Sequence, residues 1–391
     1  MDSCTKLGSN RDSLVPIPLA PIIERAPVKP RLVAWRPHLV LILMVIASAV
    51  AVGQVPLVTI DRERPVDTAR AVSMLIDTLG PQGTGITRAT RKQLADELDL
   101  ICTVPPAPAI NPLADPVRGP FIGGLFRERV RKVLHALAHA DPPRSGIRVH
   151  KLYSSTFIVQ SADKTVAFDF SEGPFPALAL PTIALSDLGK LADHIDLLLV
   201  SHVHPDHFST FFMAEMVARS KPVVVPAQVQ NFMLGNGYLW AAALQVPAGG
   251  VWPQAFAGVP VSTFQGRQWI SFQNNNPRTP VVSSTVFSPV NNSYVVRIGG
   301  HIVAHFGDNN DVGVYAWLYG LQATGSNPDV ILQVAGLAPV VRAITGAPTG
   351  FLGHEWEFTH TISNVFTRLT MPTLPNPQRR VLFWGESYDI P

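Results

Sequence analysis

The fold turns on residues 195–208, which read Ile-Asp-Leu-Leu-Leu-Val-Ser-His-Val-His-Pro-Asp-His-Phe. The first six are almost wholly apolar, too few for an ordinary helix and without the alternation of a half-solvated strand, so they predict a strand buried on both faces. Such strands belong to layered α/β folds, where helices cover the sheet. The next residues are abruptly polar: Ser201, then His202, His204, Asp206 and His207 around Pro205. Imidazole and carboxylate are donors that borderline divalent metals favour. His202 and His204, one residue apart in a loop leaving a strand, can point at one ion. Asp206 and His207, beyond the turn that Pro205 forces, can serve a second ion beside it.

Working outward, apolar runs at 157–159 and 165–168 flank polar residues 160–164, which predicts a hairpin whose second strand ends at Asp169. Further strands are expected at 222–225, 293–298, 302–306 and 330–334, with helices at 211–218 and 312–321 between them. Residues 147–391 therefore read as a mixed α/β layer domain. Residues 61–146 read as a helical, Pro-rich extension, with helices at 66–79, 91–100 and 125–140. On the last, His135 and His139 stand at i and i+4, a chelating spacing. Ala136, however, occupies the place where metalloprotease helices carry a glutamate base, so a solvated or core-edge pair is the expectation.

The chain has 391 residues, 36 of them proline, and only 15 % are charged, against about 25 % in ordinary soluble domains. That much proline argues against long helical bundles and coiled coils. The net charge of +3 resides in residues 1–38, a basic Pro-rich stretch without apolar periodicity that reads as a disordered tail. The rest is neutral, which offers no basic footprint for nucleic acid. Two cysteines, Cys4 and Cys102, make neither a disulfide framework nor a thiolate metal site. Residues 39–52 are an unbroken apolar run, reaching membrane-spanning length only when counted on to Ile60. Preceded by basic residues, 39–60 is expected to be a transmembrane anchor or an export signal, leaving the remainder on the non-cytoplasmic side or exported.

With His202, His204, Asp206 and His207 set as H-x-H-x-D-H directly after a strand, residues 147–391 resemble the metallo-β-lactamase superfamily, loosely its lactonase and N-acyl-phosphatidylethanolamine phospholipase D branch. The resemblance implies a four-layer αβ/βα sandwich with metal at one edge. It also implies a structural aspartate, matched by Asp169; a bridging carboxylate, matched by Asp308 of the Gly307-Asp308 pair; and a last histidine, matched by His354 with His360 as alternative. His305 is expected to pack or hydrogen-bond at its strand end. The superfamily also supplies a third histidine to the first metal, but there is no histidine from 208 to 300. Gln268 or one of Asn274, Asn275 and Asn276 is placed to offer an amide oxygen instead.

On this resemblance the chain is a metal-dependent hydrolase with one or two zinc ions, manganese or iron being admissible. A metal-bound hydroxide would cleave an ester, lactone, amide or phosphodiester, because coordination brings the pKa of water to about 7. Asp206 would ligate and orient the nucleophile, and His360 or Tyr388 would donate to the developing oxyanion. The alternatives are a degenerate, non-catalytic metal-binding member and an iron-dependent oxidoreductase on the same fold. The expected partner is a small-molecule or lipid-like substrate, with membrane association through 39–60 and no nucleic acid; oligomeric state is not legible.

Overall fold

The computed structural model describes residues 57–81, 86–102, 113–173, 183–268, 270–271, 286–287, 289–332, 338–347, 349–354 and 379–391, all within one unit, Ile46–Pro391. The tail 1–38, most of the candidate span 39–60, Asn274, Asn275, Asn276 and His360 lie outside them. Among the described residues no helix is long and apolar enough to cross a membrane.

Two mixed sheets form the centre. The first runs in the order β15(Ser387–Ile390), β1(Ile147–Lys151), β2(Phe157–Gln160), β3(Thr165–Phe168), β4(Leu197–Leu199), β5(Val223–Val224). Its first four strands pair antiparallel, and β3, β4 and β5 pair parallel. The second runs β14(Arg379–Arg380), β13(Thr349–Phe351), β12(Val330–Leu332), β11(His301–His305), β10(Val290–Ile298), β7(Val259–Arg267), β6(Gly250–Phe256), with β14 to β11 parallel and the rest antiparallel. A short antiparallel pair, β8(Ile270–Ser271) with β9(Val286–Phe287), stands apart from both.

The all-apolar strand now has its reason. Leu197 and Leu199 of β4 enter a cluster between the sheets with Phe168, Val261, Tyr294, Val303 and Phe351. Leu198, on the opposite face, packs against helices with Ile158, Ala167, Leu188 and Phe212. A third cluster covers the outer face of the second sheet, where Val295, Ala304 and Ile331 meet Val314, Trp317, Leu318 and Val341. The last four belong to the helices Gly313–Ala323 and Ala338–Thr345. The order is helices, sheet, sheet, helices.

Helices α1(Pro65–Leu79), α2(Ile86–Cys102) and α3(Arg118–His139) contribute to the outer cover of the first sheet, together with α4(Leu185–His194), α5(Thr210–Ala218) and α6(Ala227–Gly235). The α1 residues Ala69, Val72, Leu75 and Ile76 recur at helical spacing and share one cluster with Leu152, Tyr153 and Trp384. The chain from 61 to 146 thus supplies part of a layer. Helix α3 begins at Arg118, earlier than periodicity alone suggests, because Phe121 and Ile122 are buried as fully as the later turns. His135 and His139 are exposed with rings 4.7 Å apart.

Candidate metal centre

Strand ends from both sheets meet at the motif. Asp169 closes β3 with φ +47, and its N–H donates to Leu199 O at 2.9 Å, so β3 and β4 finish together. The next residue after Val200, Ser201, donates its N–H to Asp169 Oδ1 (2.6 Å) and its hydroxyl to Asp169 Oδ2 (2.7 Å). From the second sheet, Asn292 N–H donates to Ser201 O (2.9 Å), and His305, last residue of β11, reaches Asp169 Oδ2 through Nε2 at 2.6 Å. His305 therefore hydrogen-bonds at its strand end, as expected. The loop exits into α5, where the Ser209 side chain caps Phe212 N–H at 3.0 Å.

On this frame the donors form two groups, His202 with His204 and Asp308, and Asp206 with His207 and His354; within each, the ligand atoms lie within 4.8 Å of one another. His202 Nε2 is 3.0 Å from His204 Nδ1 and 3.7 Å from Asp308 Oδ2. Asp206 Oδ2 is 3.2 Å from His207 Nε2 and 3.1 Å from His354 Nε2. Asp308 Oδ2 lies 3.4 Å from His207 Nε2 and 3.3 Å from His354 Nε2, so it adjoins both groups. Asp308 follows Gly307, which takes φ +55 at the turn after β11, and its N–H donates to Asn291 Oδ1 at 3.0 Å. His354 follows β13, the parallel neighbour of β12, with φ +66, and its N–H donates to Ser154 O at 3.0 Å. Left-handed backbone at a non-glycine residue persists where its surroundings over-determine it.

The electrostatics suit a cation. Asp206 and Asp308 are held well below the usual carboxylate range: burial opposes their charge, but the His207 and His354 imidazoles outweigh it. The same attraction holds His207 and His354 well above the ordinary histidine value against burial. Burial, with the neighbouring His207, pushes His202 well below its ordinary value, so it stays neutral, the form that ligates. His207 Nδ1 donates to Asp169 Oδ2 at 2.8 Å, so Nε2 faces the site, where a bound cation would take the place of its proton. Asp206 Oδ1 is buried without a hydrogen-bond partner among the described residues. An orphaned carboxylate oxygen beside converging imidazole nitrogens fits a divalent metal.

Some neighbours escape sequence reading. Ser155 Oγ is 3.3 Å from His207 Nε2, and Ser154 Oγ is 3.4 Å from Asp206 Oδ2. Lys151, fully buried, donates to Leu152 O (2.7 Å) and Ser154 O and so braces the turn that holds His354. In the sequence they show only as a lysine closing the strand Ile-Arg-Val-His-Lys, three residues before Ser154-Ser155. Tyr388, a candidate oxyanion donor, instead packs on the cluster between the sheets, its ring 5.8 Å from Phe351. His301 is tied to Asp329 (3.0 Å) and Pro391 O (3.1 Å).

No protein-family model and no curated protein matches the chain. Among solved structures it is similar to Igni18, a metallo hydrolase from Ignicoccus hospitalis KIN4/I (15 % identity, 63 % of this chain, 99 % of that one, TM-score 0.42). It is similar also to an isothiocyanate hydrolase from Delia radicum gut bacteria (13 %, 62 %, 98 %, 0.42) and to the metallo-β-lactamase fold protein YhfI from Bacillus subtilis (13 %, 63 %, 100 %, 0.39). Alignments this loose leave the reading of the site to the chain's own residues. Two mixed sheets lie between helical layers, with Asp308 and His354 gathered on the motif loop, an arrangement consistent with the sandwich expected from the metallo-β-lactamase resemblance.

Proposed function

We propose that this chain is a metal-dependent hydrolase in which His202, His204 and Asp308 hold one divalent cation and Asp206, His207 and His354 a second, with Asp308 adjoining both. The observation that carries the reading is the pairing of two donor groups, each of two imidazoles and a carboxylate, around half-buried Asp308. Zinc is the first candidate, and the donor set also admits iron and manganese. A cation there supplies Lewis acidity toward an ester, lactone, amide or phosphodiester oxygen and acidifies a water.

The chain's own residues do the rest. Asp206 turns one oxygen to His207 and His354 and leaves Oδ1 to accept a hydrogen bond from an attacking water; its depressed pKa makes it an orienting acceptor, not a proton sink. Asp169 fixes the His207 tautomer, and Ser201 ties that aspartate to the loop. The substrate is a small or lipid-like molecule, a reading motivated by the apolar run 39–60, which would anchor or export the protein with its site on the non-cytoplasmic side. Donation to the substrate is assigned to His360.

The test is elemental analysis with hydrolysis assays on the full chain. Wild type should carry zinc, iron or manganese, whereas Asp206→Ala and His354→Ala should each lose about one ion per chain and drop activity by at least ~100-fold. Unchanged metal and activity in both variants would sink the proposal. A second reading, an iron-dependent oxidoreductase, is favoured by the two-imidazole, one-carboxylate composition of each group; iron content with oxygen uptake identifies it.

A further inference from the structure

Among the described residues the first donor group holds two histidines, and the structure puts another side chain beside it. Gln268 directly follows β7, and its backbone is pinned where that strand leaves the ladder: its N–H donates to Pro289 O at 3.1 Å, and Arg267 pairs with Val290. One residue further along β10, Asn291 receives the Asp308 N–H, so Gln268 and Asp308 are registered on the same strand. The amide reaches the centre, with Nε2 2.9 Å from Asp308 Oδ2, while Oε1 is buried without a partner among the described residues. A buried carbonyl oxygen without a partner is unfavourable, and here it belongs to a group already touching the carboxylate common to both donor groups. A half-turn of the amide exchanges the two atoms, bringing the oxygen to the carboxylate edge that His202 Nε2 also approaches.

We propose that Gln268, through Oε1, is the fourth protein donor of the first cation site. The proposal rests on reading the centre as a metal site. The consequence is an asymmetric pair of sites. The first group would combine two imidazoles, a carboxylate and a neutral amide oxygen, a harder set than three imidazoles and a carboxylate. It would hold zinc less tightly and accept manganese or iron(II) more readily than an imidazole-rich site.

The contact seen here, Nε2 to Asp308, gives a rival role: a hydrogen bond that merely props the carboxylate. Gln268→Glu separates the two, because glutamate keeps an oxygen donor but loses the amide N–H and sets a like charge beside Asp308. The full chain is titrated with zinc and with manganese against a chromophoric chelator, and bound ions are counted after dialysis. Wild type should bind two ions of unequal affinity. Gln268→Met, which preserves bulk without an oxygen, should weaken the looser ion by about tenfold or more and leave the tighter one. Gln268→Glu should retain both ions with the looser one tightened, and Gln268→His should tighten zinc selectively over manganese. Two ions at unchanged affinity in Gln268→Met, or loss of an ion in Gln268→Glu, overturns the assignment while leaving the metal centre intact. A wild-type chain that binds no ion overturns both this proposal and the reading beneath it.

Discussion

Glu172 illustrates how a single residue near the motif can be tuned by its setting. It lies three residues beyond Asp169; its Oε2 is buried without a partner among the described residues, and burial pushes its carboxyl from 4.5 up to about 7, against one hydrogen bond from Ser209. A raised carboxyl pKa means the folded chain binds the proton more tightly than the unfolded one, so stability falls as pH climbs from about 4.5 through 7. The full shift amounts to at most about 3 kcal/mol. A glutamine at this position, neutral throughout, should remove that slope: in chemical denaturation the Glu172→Gln variant should gain on wild type by about 1–3 kcal/mol between pH 5 and pH 8. An equal difference at both values would show that Glu172 is not buried as described. At this scale the candidate ligands were legible because H-x-H-x-D-H, Gly307-Asp308 and His354 are chemically conspicuous. Lys151, Ser154 and Asn291 were not, since they act through backbone carbonyls and N–H groups that no local pattern reports.

Elements built from local contacts are legible in the sequence, and those built from distant pairing are not. The strand at 197–199 and the helices Thr210–Ala218 and Gly313–Ala323 follow from apolar runs and periodicity, within a few residues. The pairing of β15 with β1, which joins Ile390 to Ile147 and closes one edge of the first sheet, leaves no trace in either segment. The turn after β11 shows why the site depends on such geometry. Gly307 has φ +55, and a Cβ there would meet Ser201 Cβ and Oγ at 2.5 Å and Asn291 Oδ1 at 2.8 Å. Ser201 holds Asp169 and Asn291 holds Asp308, so the added methyl presses on both supports. Gly307→Ala should therefore cost about 2–4 kcal/mol, from a strained φ and overpacking together, and weaken metal binding. Gly300 is the control, at φ +82 with no heavy atom within 4 Å of where a methyl would sit: Gly300→Ala should cost only about 1 kcal/mol and leave metal affinity alone. Equal losses in thermal melts of the two would remove the crowding argument.

Across the whole molecule, the segment before the first sheet is bound to the connection between β14 and β15 by two buried arginines. Arg129 of α3 donates to Trp384 O and to Ser73 O (3.0 Å) and pairs with Asp77 of α1. Arg91 of α2 forms a two-pronged pair with Glu386, one prong at 2.6 Å, donates to Gly80 O (2.9 Å) and Val381 O (2.8 Å), and lies 4.4 Å over the Phe383 ring. Both partners of that pair are only 3 % exposed. Glu386 immediately precedes β15, whose partner β1 leads into the Lys151–Ser154 turn beneath His354, so the pair links the early helices to the frame of the metal centre. A buried ion pair adds little over an apolar pair of similar shape, but breaking it from one side strands a charge. Arg91→Ala should thus destabilise the chain by about 3–5 kcal/mol, whereas Arg91→Met with Glu386→Leu should recover most of that loss. The readout is a double-mutant cycle in denaturant, with metal affinity measured alongside. If Arg91→Ala alone cost under about 1 kcal/mol, Glu386 would have to reach water in the native state, and the helices of 61–146 would then be only loosely seated on the sheet they cover.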